Sequence, residues 1–384
     1  MLTAGESHGP ACTVIIEGMP AGLGVSAADI NLDLRRRHSD FGRGGRGKIE
    51  ADTVTILSGI RYGKTLGSPI TLMVTNRDFD NWRGVMSVAE AAAETPPLTC
   101  PRPGHADLAG AIKYGQGDIR NILERASARE TVSRVMAGAI ARRLLAELGI
   151  RIASHTTRIG EVASPETYRD FEEVAGIFEQ DPDIRCLDKD VSARMKAAIT
   201  SVRQTGDTLG GIVQVIATGM PVGLGSVMHY DRRLDSRLAA ALMSIPSVKG
   251  ITIGNAVAMA AARGSEVTDE IFVGKDGGCR RRRNNSGGIE GGISNGEDIV
   301  LNAYFKPLAT LGKPSASIDI GTGKPAKAIS ERSDVCAVPR AGAVAEAMTA
   351  FTLAEAALEK FGGDNIQETR RNYQGFKDSL AVSE

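Results

Sequence analysis

Aromatic residues are scarce: Phe, Trp and Tyr together make 4% of the 384 residues, with a single tryptophan. So few rings argue against the stacking surfaces used in single-stranded nucleic-acid recognition. An excess of either charge is missing too, because 46 Lys+Arg meet 46 Asp+Glu. No global field draws in nucleic acid or acidic lipid, and any charge that matters must be clustered. Cys12, Cys100, Cys186, Cys279 and Cys336 are scattered and never form a C-x-x-C pair. That pattern fits reduced thiols in a cytosol and excludes a disulfide framework or a zinc site. Met1 to Pro10 lacks the basic and apolar regions of a signal peptide. The uncharged stretch from Thr208 to Tyr230 is interrupted by Pro221, several glycines, Gln214 and His229, unlike a membrane-spanning helix. The expectation is a cytoplasmic protein with no metal, no membrane and no nucleic-acid partner.

Glycine, by contrast, is abundant: 45 of 384 residues, against a typical level of about 7%. Many points must exist where the backbone turns sharply or approaches something closely. Ala11 to Glu17, Thr53 to Leu57 and Ile70 to Thr75 are β-branched-rich and predict strands. Asp29 to Arg37, after Ser26, predicts a short helix. Ala128 to Leu148 predicts a longer one, with Ser127 and Glu130 as a capping box and Gly149 as its stop. Ala341 to Phe361 predicts another, ending at Gly362-Gly363. Asn76 to Pro103 and Ser164 to Asp188 are weakly patterned and read as long loops.

Two internal echoes are visible. Gly18-Met19-Pro20-Ala21-Gly22-Leu23-Gly24 recurs as Gly219-Met220-Pro221-Val222-Gly223-Leu224-Gly225, each copy between a strand-like run and a helix candidate. Gly59, Ile60, Gly63, Gly67, Ile70 and Leu72 recur at one constant offset as Gly288, Ile289, Gly292, Gly296, Ile299 and Leu301. Collinear echoes predict a duplicated half. The expected fold is α/β (α+β) with a pseudo-two-fold, halves near 1–160 and 205–364 in a single domain, a variable connecting segment and a C-terminal tail.

The charged constellations come next. Arg35 to Lys48 interleaves arginines with glycines, among them Arg37, Arg43 and Arg46. Guanidinium forks match phosphate and carboxylate oxygens bidentately, and glycine lets the backbone add amide donors. Gly42 to Lys48 matches the spacing of a P-loop, but Ile49 stands where the magnesium-binding hydroxyl is needed, so that motif is rejected. Arg280 to Arg283 is a second basic segment that runs into a glycine-rich turn. It reads either as an exposed loop or as a weak invitation to an anion. His8 and His105 both lie on glycine-flanked turns near carboxylates, where an imidazole can present itself to a cleft as acid or base. His38, His155 and His229 have no comparable context. Arg125 and Arg129 flank Ser127 at the start of the long helix, whose free amides and dipole favour an anion.

Taken together, several motifs resemble the chorismate synthase family. They are Gly5-Glu6-Ser7-His8-Gly9, Phe41-Gly42-Arg43-Gly44, Arg102-Pro103-Gly104-His105-Ala106-Asp107, Arg125-Ala126-Ser127-Ala128-Arg129-Glu130, Met243-Ser244-Ile245, Gly287 to Gly292 and Arg332-Ser333-Asp334. The match is collinear from about Thr3 to Asp364. The resemblance implies a lyase of the shikimate pathway, converting 5-enolpyruvylshikimate 3-phosphate to chorismate and phosphate with reduced FMN. It also implies a homotetramer with a β-α-β sandwich core. By the same resemblance, Arg37, Arg43, Arg46 and Arg129 bind substrate, some of them also NADPH. His8 assists the departing phosphate and His105 steadies the reduced flavin's charge. Asp334, with Ser7 and Ser127, relays a proton to or from flavin N5. FMN is held by Arg125, Ala126, Ser127, Pro246, Ser247, Gly291, Lys306, Pro307, Leu308, Ala309, Thr310 and Arg332.

The chain departs from the family's pattern at a few points. Pro246-Ser247 stands where Gln or Asn followed by Ala is usual, which predicts a backbone-only flavin contact there. Arg340 occupies a usually small position. Few residues precede Gly5, which predicts either a clipped first strand or a misassigned start. No reductase domain is evident, so NADPH reduction of the flavin by this chain and supply by a separate flavin reductase both stay open. Two other classes compete. A flavin oxidoreductase predicts sustained NADPH oxidation without a shikimate-derived substrate, and a polyanion binder predicts binding that weakens steeply with salt.

Overall fold

The computed structural model describes residues 1–39, 41–42, 52–89, 95–164, 170–274, 278–329 and 334–380. Arg43, Arg46 and Arg332 lie outside the described residues.

Alternating burial builds the first sheet. In β2 (Ala11–Ile16) and β4 (Ile70–Thr75), Cys12, Val14, Ile16, Ile70, Leu72 and Val74 point inward while their neighbours point out. With β1 (Leu2–Ala4) and β3 (Thr55–Ser58) they form an antiparallel sheet in the order β1-β2-β4-β3. A second antiparallel sheet contains β5 (Arg151–Ile159), β6 (Val162–Ala163), β7 (Gly211–Thr218), β8 (Val248–Ile253) and β9 (Ile299–Phe305), ordered β8-β9-β7-β5-β6.

Between the sheets lie α2 (Thr131–Glu147) and α3 (Val338–Phe361), with α1 (Ala27–His38) packed against both. A helix covered on two sides must be apolar nearly all round. Accordingly α3 is long and apolar enough to cross a membrane by length and composition, yet 89% of that stretch is buried inside the fold. Gly138 of α2 lets the two helices approach closely, since a Cβ there would overlap Ala347 of α3. Each fully buried Leu, Ile or Val in this layer contributes about 1.5–3 kcal/mol. The result is a β-α-β sandwich.

Helix boundaries follow local chemistry. At α1, Ser26 and Asp29 form a reciprocal capping box. The box expected at Ser127 does not form. Ser127 caps a 3-10 turn, Ala128–Glu130, by accepting from Arg129 N, and α2 begins only at Thr131. The reason is competition: Glu130 is drawn to Arg134 one turn on, at 2.9 Å, and not back to Ser127. Helix α3 begins three residues earlier than expected, with Pro339 in its first turn.

The echoed segments share local structure. Thr65 Oγ1 donates to Pro20 O at 2.6 Å and accepts from Leu23 N at 2.9 Å. Ser294 Oγ repeats both bonds with Pro221 O at 2.6 Å and Leu224 N at 2.9 Å. Backbone φ agrees as well: Gly59 and Gly288 stand at 80° and 79°. In each copy the first echo follows one strand and the second runs into its antiparallel partner, β2 with β4 and β7 with β9.

The second basic segment is consumed by its own neighbours. Arg281 makes a bidentate pair with Glu290 at 2.6 Å, Arg282 faces Glu270 at 3.4 Å and Arg283 donates to Glu266 O. It overlaps a ribbon, Ile271–Val273 with Cys279–Arg281, and Arg281 and Arg282 face carboxylates of neighbouring residues.

Candidate active site

A cavity of about 470 Å³ opens where the last turn of α1 meets the starts of α2 and α3 and the end of β9. Two helix N-termini therefore point their positive dipole ends at it. Arg35, Arg36, Arg37 and His38 oppose the negative end of α1. The wall is apolar at Leu209, Ile245, Phe305, Leu308, Val338 and Val344.

His8 enters from the turn between β1 and β2. Gly5 starts that turn at φ 115°, a conformation reserved for glycine, and a Cβ there would also overlap Ala11 O. Asn76 braces it by donating to Ser7 O and Gly9 O at 2.8 and 3.0 Å. Glu124, almost fully buried, accepts from His8 N and His8 Nδ1, both at 2.8 Å. On its flat side the imidazole stacks on Trp82, ring centres 3.7 Å apart. Because Nδ1 is bonded to the carboxylate, Nε2 is the nitrogen left for chemistry.

His105 has the same construction. Asp107, fully buried, accepts from His105 Nδ1 at 2.6 Å and from Arg102 Nε at 2.8 Å. Burial would raise the Asp107 carboxyl, but its bonds from His105 and Arg102 hold it well below the usual carboxylate range. Lys306 closes this side, its Nζ donating to Gly104 O at 2.7 Å. Burial and the charge of Lys249 lower the Lys306 ammonium, so a bound anion there would be favoured.

A third imidazole completes the wall, and sequence reasoning had passed it over. His38 Nε2 bonds Asp52, which also accepts from Arg129 at 2.8 Å and faces Arg37 at 3.5 Å. Burial would raise the Asp52 carboxyl, but the bond from His38 and the charges of Arg129 and Arg37 keep it far below its ordinary value. Arg37 is aimed by Thr131 Oγ1 and Ala128 O, both at 3.0 Å. Neither remaining histidine belongs here: His155 is buried against Gln214 and His229 is exposed.

Ser7, Ser127 and Asp334 line the same cavity, and Ser127 Oγ donates to Ser7 Oγ at 3.1 Å. Ala126, Pro246, Ser247, Leu308, Ala309 and Thr310 line it too. Arg125, Gly291 and Pro307 are not brought to its wall. Arg125 instead ties down the N-terminal segment through Thr3 O and Gly5 O. Arg102 and Arg340, not singled out as site residues by sequence, are part of the wall. Among the described residues no cluster of His, Cys, Asp or Glu is arranged to hold a metal ion.

The family described as chorismate synthase matches residues 1–358. A chorismate synthase of Symbiobacterium thermophilum is 53% identical over 387 residues, covering 99% of each chain. One from Thermobifida fusca is 52% identical over 391 residues, again covering 99% of each. A solved structure titled as a crystal structure of chorismate synthase superposes with a TM-score of 0.79 at 39% identity, covering 99% of this chain and 97% of the other.

Proposed function

The chain belongs to the chorismate synthase family, and from that premise we propose that it catalyses the 1,4-anti elimination of phosphate from 5-enolpyruvylshikimate 3-phosphate, giving chorismate. In this reaction one ring C–O bond to phosphate breaks, one ring C–H bond gives up its proton, and a conjugated diene forms. The observation that carries the reading is that His8 and His105, each backed by a buried carboxylate, face one cavity whose fixed charges are mostly cationic.

The residues suit such a substrate. Its phosphate and two carboxylates need cations in a dry cleft, and Arg37 and Arg129 supply them at the α1–α2 end, beside His38. His8 is placed to donate from Nε2 to the leaving phosphate, and Glu124 fixes the ring's orientation through Nδ1. Reduced FMN fits the opposite end. The cavity falls within the roughly 300–1,000 Å³ of ordinary cofactor sites, with apolar residues for a flat ring and Lys306 for an anion. Ala126, Ser127, Ser247 and Leu308 to Thr310 would hold it, and when bound it would supply electron density to the ring that loses phosphate. His105 would face its negative charge, with Asp107 fixing which nitrogen carries hydrogen. Ser7, Ser127 and Asp334 would hold and pass the abstracted proton.

The same reading includes cytoplasmic localisation, NADPH or a separate reductase as the electron source, and a homotetramer. Exposed Leu2, Ile15 and Leu57 on the first sheet suit burial against further copies, and sedimentation velocity tests the assembly. The decisive assay is anaerobic: purified protein, chemically reduced FMN and 5-enolpyruvylshikimate 3-phosphate, with chorismate absorbance and phosphate followed together. Equal appearance of both, and neither with oxidised FMN, is expected. Absence of both with FMN bound would overturn the proposal and turn attention to NADPH oxidation.

A further inference from the structure

Arg340 stands in the first turn of α3 and lines the cavity. A cation at a helix N-terminus faces the positive end of the dipole, so the position is unfavourable for arginine unless an anion compensates. That anion is Asp334, whose Oδ2 accepts from the Arg340 guanidinium. Among the described residues of the cavity wall, Asp334 is the sole carboxylate. Its backbone neighbourhood is fixed: Leu209 N donates to Val335 O at 2.9 Å, Val335 N donates to Gly42 O at 3.0 Å, and Cys336 is fully buried. The side chain, about a quarter exposed, is not held by packing alone.

We propose that Arg340 is a positioning residue, holding the Asp334 carboxylate in the orientation from which it exchanges a proton with the Ser7–Ser127 pair. The inference rests on the proposed reaction and deepens it. Both charged groups come from one short stretch of chain, Asp334 just before α3 and Arg340 in its first turn, so the helix start itself carries the relay's geometry. A planar guanidinium fixes direction as well as charge, which a shorter or neutral side chain at the same place cannot do. Arg340 does not need to touch the substrate for this role.

The test compares Arg340→Met, Arg340→Lys, Asp334→Asn and the Met/Asn double variant. With reduced FMN, Arg340→Met should lower kcat by about tenfold or more while KM for the phosphorylated substrate stays within about twofold, the pattern of a lost transition-state arrangement. Arg340→Lys should recover part of the loss, and adding Arg340→Met to Asp334→Asn should cost nothing further. In the flavin-free protein, the thermal midpoints of the four variants and wild type should fail to add if the pair exists. A raised KM with kcat intact would overturn the proposal by making Arg340 a ligand-binding cation. Additive midpoints or an unchanged Arg340→Met variant would overturn it as well. Wild-type turnover in Asp334→Asn would remove the relay and this inference together, whereas a wild-type chain that forms no chorismate would sink the reaction itself.

Discussion

Arg36 and Arg37 are neighbours on α1, yet they serve opposite kinds of cluster. Arg36 turns away from the cavity and grips Glu346 with both guanidinium nitrogens at 2.6 and 2.7 Å. Arg142 and Ser154 complete the grip, and Asp33 faces Arg36 at 3.4 Å. In that cluster Arg36 and Arg142 are matched by Glu346 and Asp33, so no charge is left over for a ligand. On the other side, Arg37 shares its carboxylate Asp52 with Arg129 and His38. Lys306 adds a further cation to this wall, while Arg102 and Arg340 are paired with Asp107 and Asp334. The same residue types build a closed structural joint in one place and an open anion site in the other. Arg185 couples the two, its buried guanidinium donating to Ser39 O at the end of α1 and to Pro339 O at the start of α3.

The largest expected effect tests the open side. His8→Ala and His105→Ala should each lower turnover by about two to four orders of magnitude, the weight of a positioned acid or base. Each variant should also melt somewhat earlier, because Glu124 or Asp107 loses its buried partner, yet remain folded at the assay temperature. Steady-state phosphate release beside a melting curve decides it. Normal turnover in either variant would make that imidazole as structural as the Glu346 joint.

On the closed side the effect moves from rate to stability. Glu346→Gln keeps the shape but leaves Arg36 and Arg142 with Asp33 as their one remaining counter-charge in the cluster, which should cost about 3 kcal/mol in urea unfolding. Turnover below the transition should be nearly unchanged. Burial would raise the Glu346 carboxyl, but Arg36 and Arg142 pull it down to about 2, from an ordinary 4.5. A depressed carboxyl contributes its full stability above the unfolded value and loses it as pH falls through the folded one. Wild type should therefore weaken between about pH 4.5 and 2 more than Glu346→Gln does, and the gap between them should narrow. A gap that widens on acidification would mean that Glu346 is not the ionised hub of the joint.

The contrast between the two clusters also marks what was readable from the chain. Short-range devices were legible: the Ser26 cap, the stops at Gly149 and Gly362 and the strand Ile70–Thr75 all act within a few residues, and both glycine echoes stood out as repeated strings. Ser7 and Asp334 entered through the family resemblance alone, whereas His8, His105 and Ser127 were legible as candidates because glycine-flanked turns and a helix start announce them. Their partners were not. Glu124 lies 116 residues from His8, and Asp52 lies 77 from Arg129. His38 looked bare because its carboxylate follows 14 residues later, beyond a glycine-rich stretch. Pairing across such distances is a product of tertiary packing, which local pattern does not encode.

A smaller effect sharpens the comparison at the level of backbone strain. Ser247 on the cavity wall and Arg185 between the clusters both hold left-handed φ, at 73° and 61°. For a residue with a Cβ this costs about 1–2 kcal/mol. Arg185 is kept there by bonds from its own side chain, so glycine at that position would lose more than it relieves. At Ser247 the bond that fixes the turn is made by backbone, with Lys306 N donating to Ser247 O at 2.9 Å. Ser247→Gly keeps that bond and removes the strain, while the freer unfolded chain returns part of the gain. The net expectation is a rise in stability of up to about 1 kcal/mol. If the flavin contact at this point is made by backbone alone, FMN affinity should stay within about twofold of wild type. Fluorescence titration of oxidised FMN reads this directly. A clear loss of affinity in a stabilised variant would show that the Ser247 hydroxyl is used by the site, and that the strain there is retained for binding and not merely tolerated.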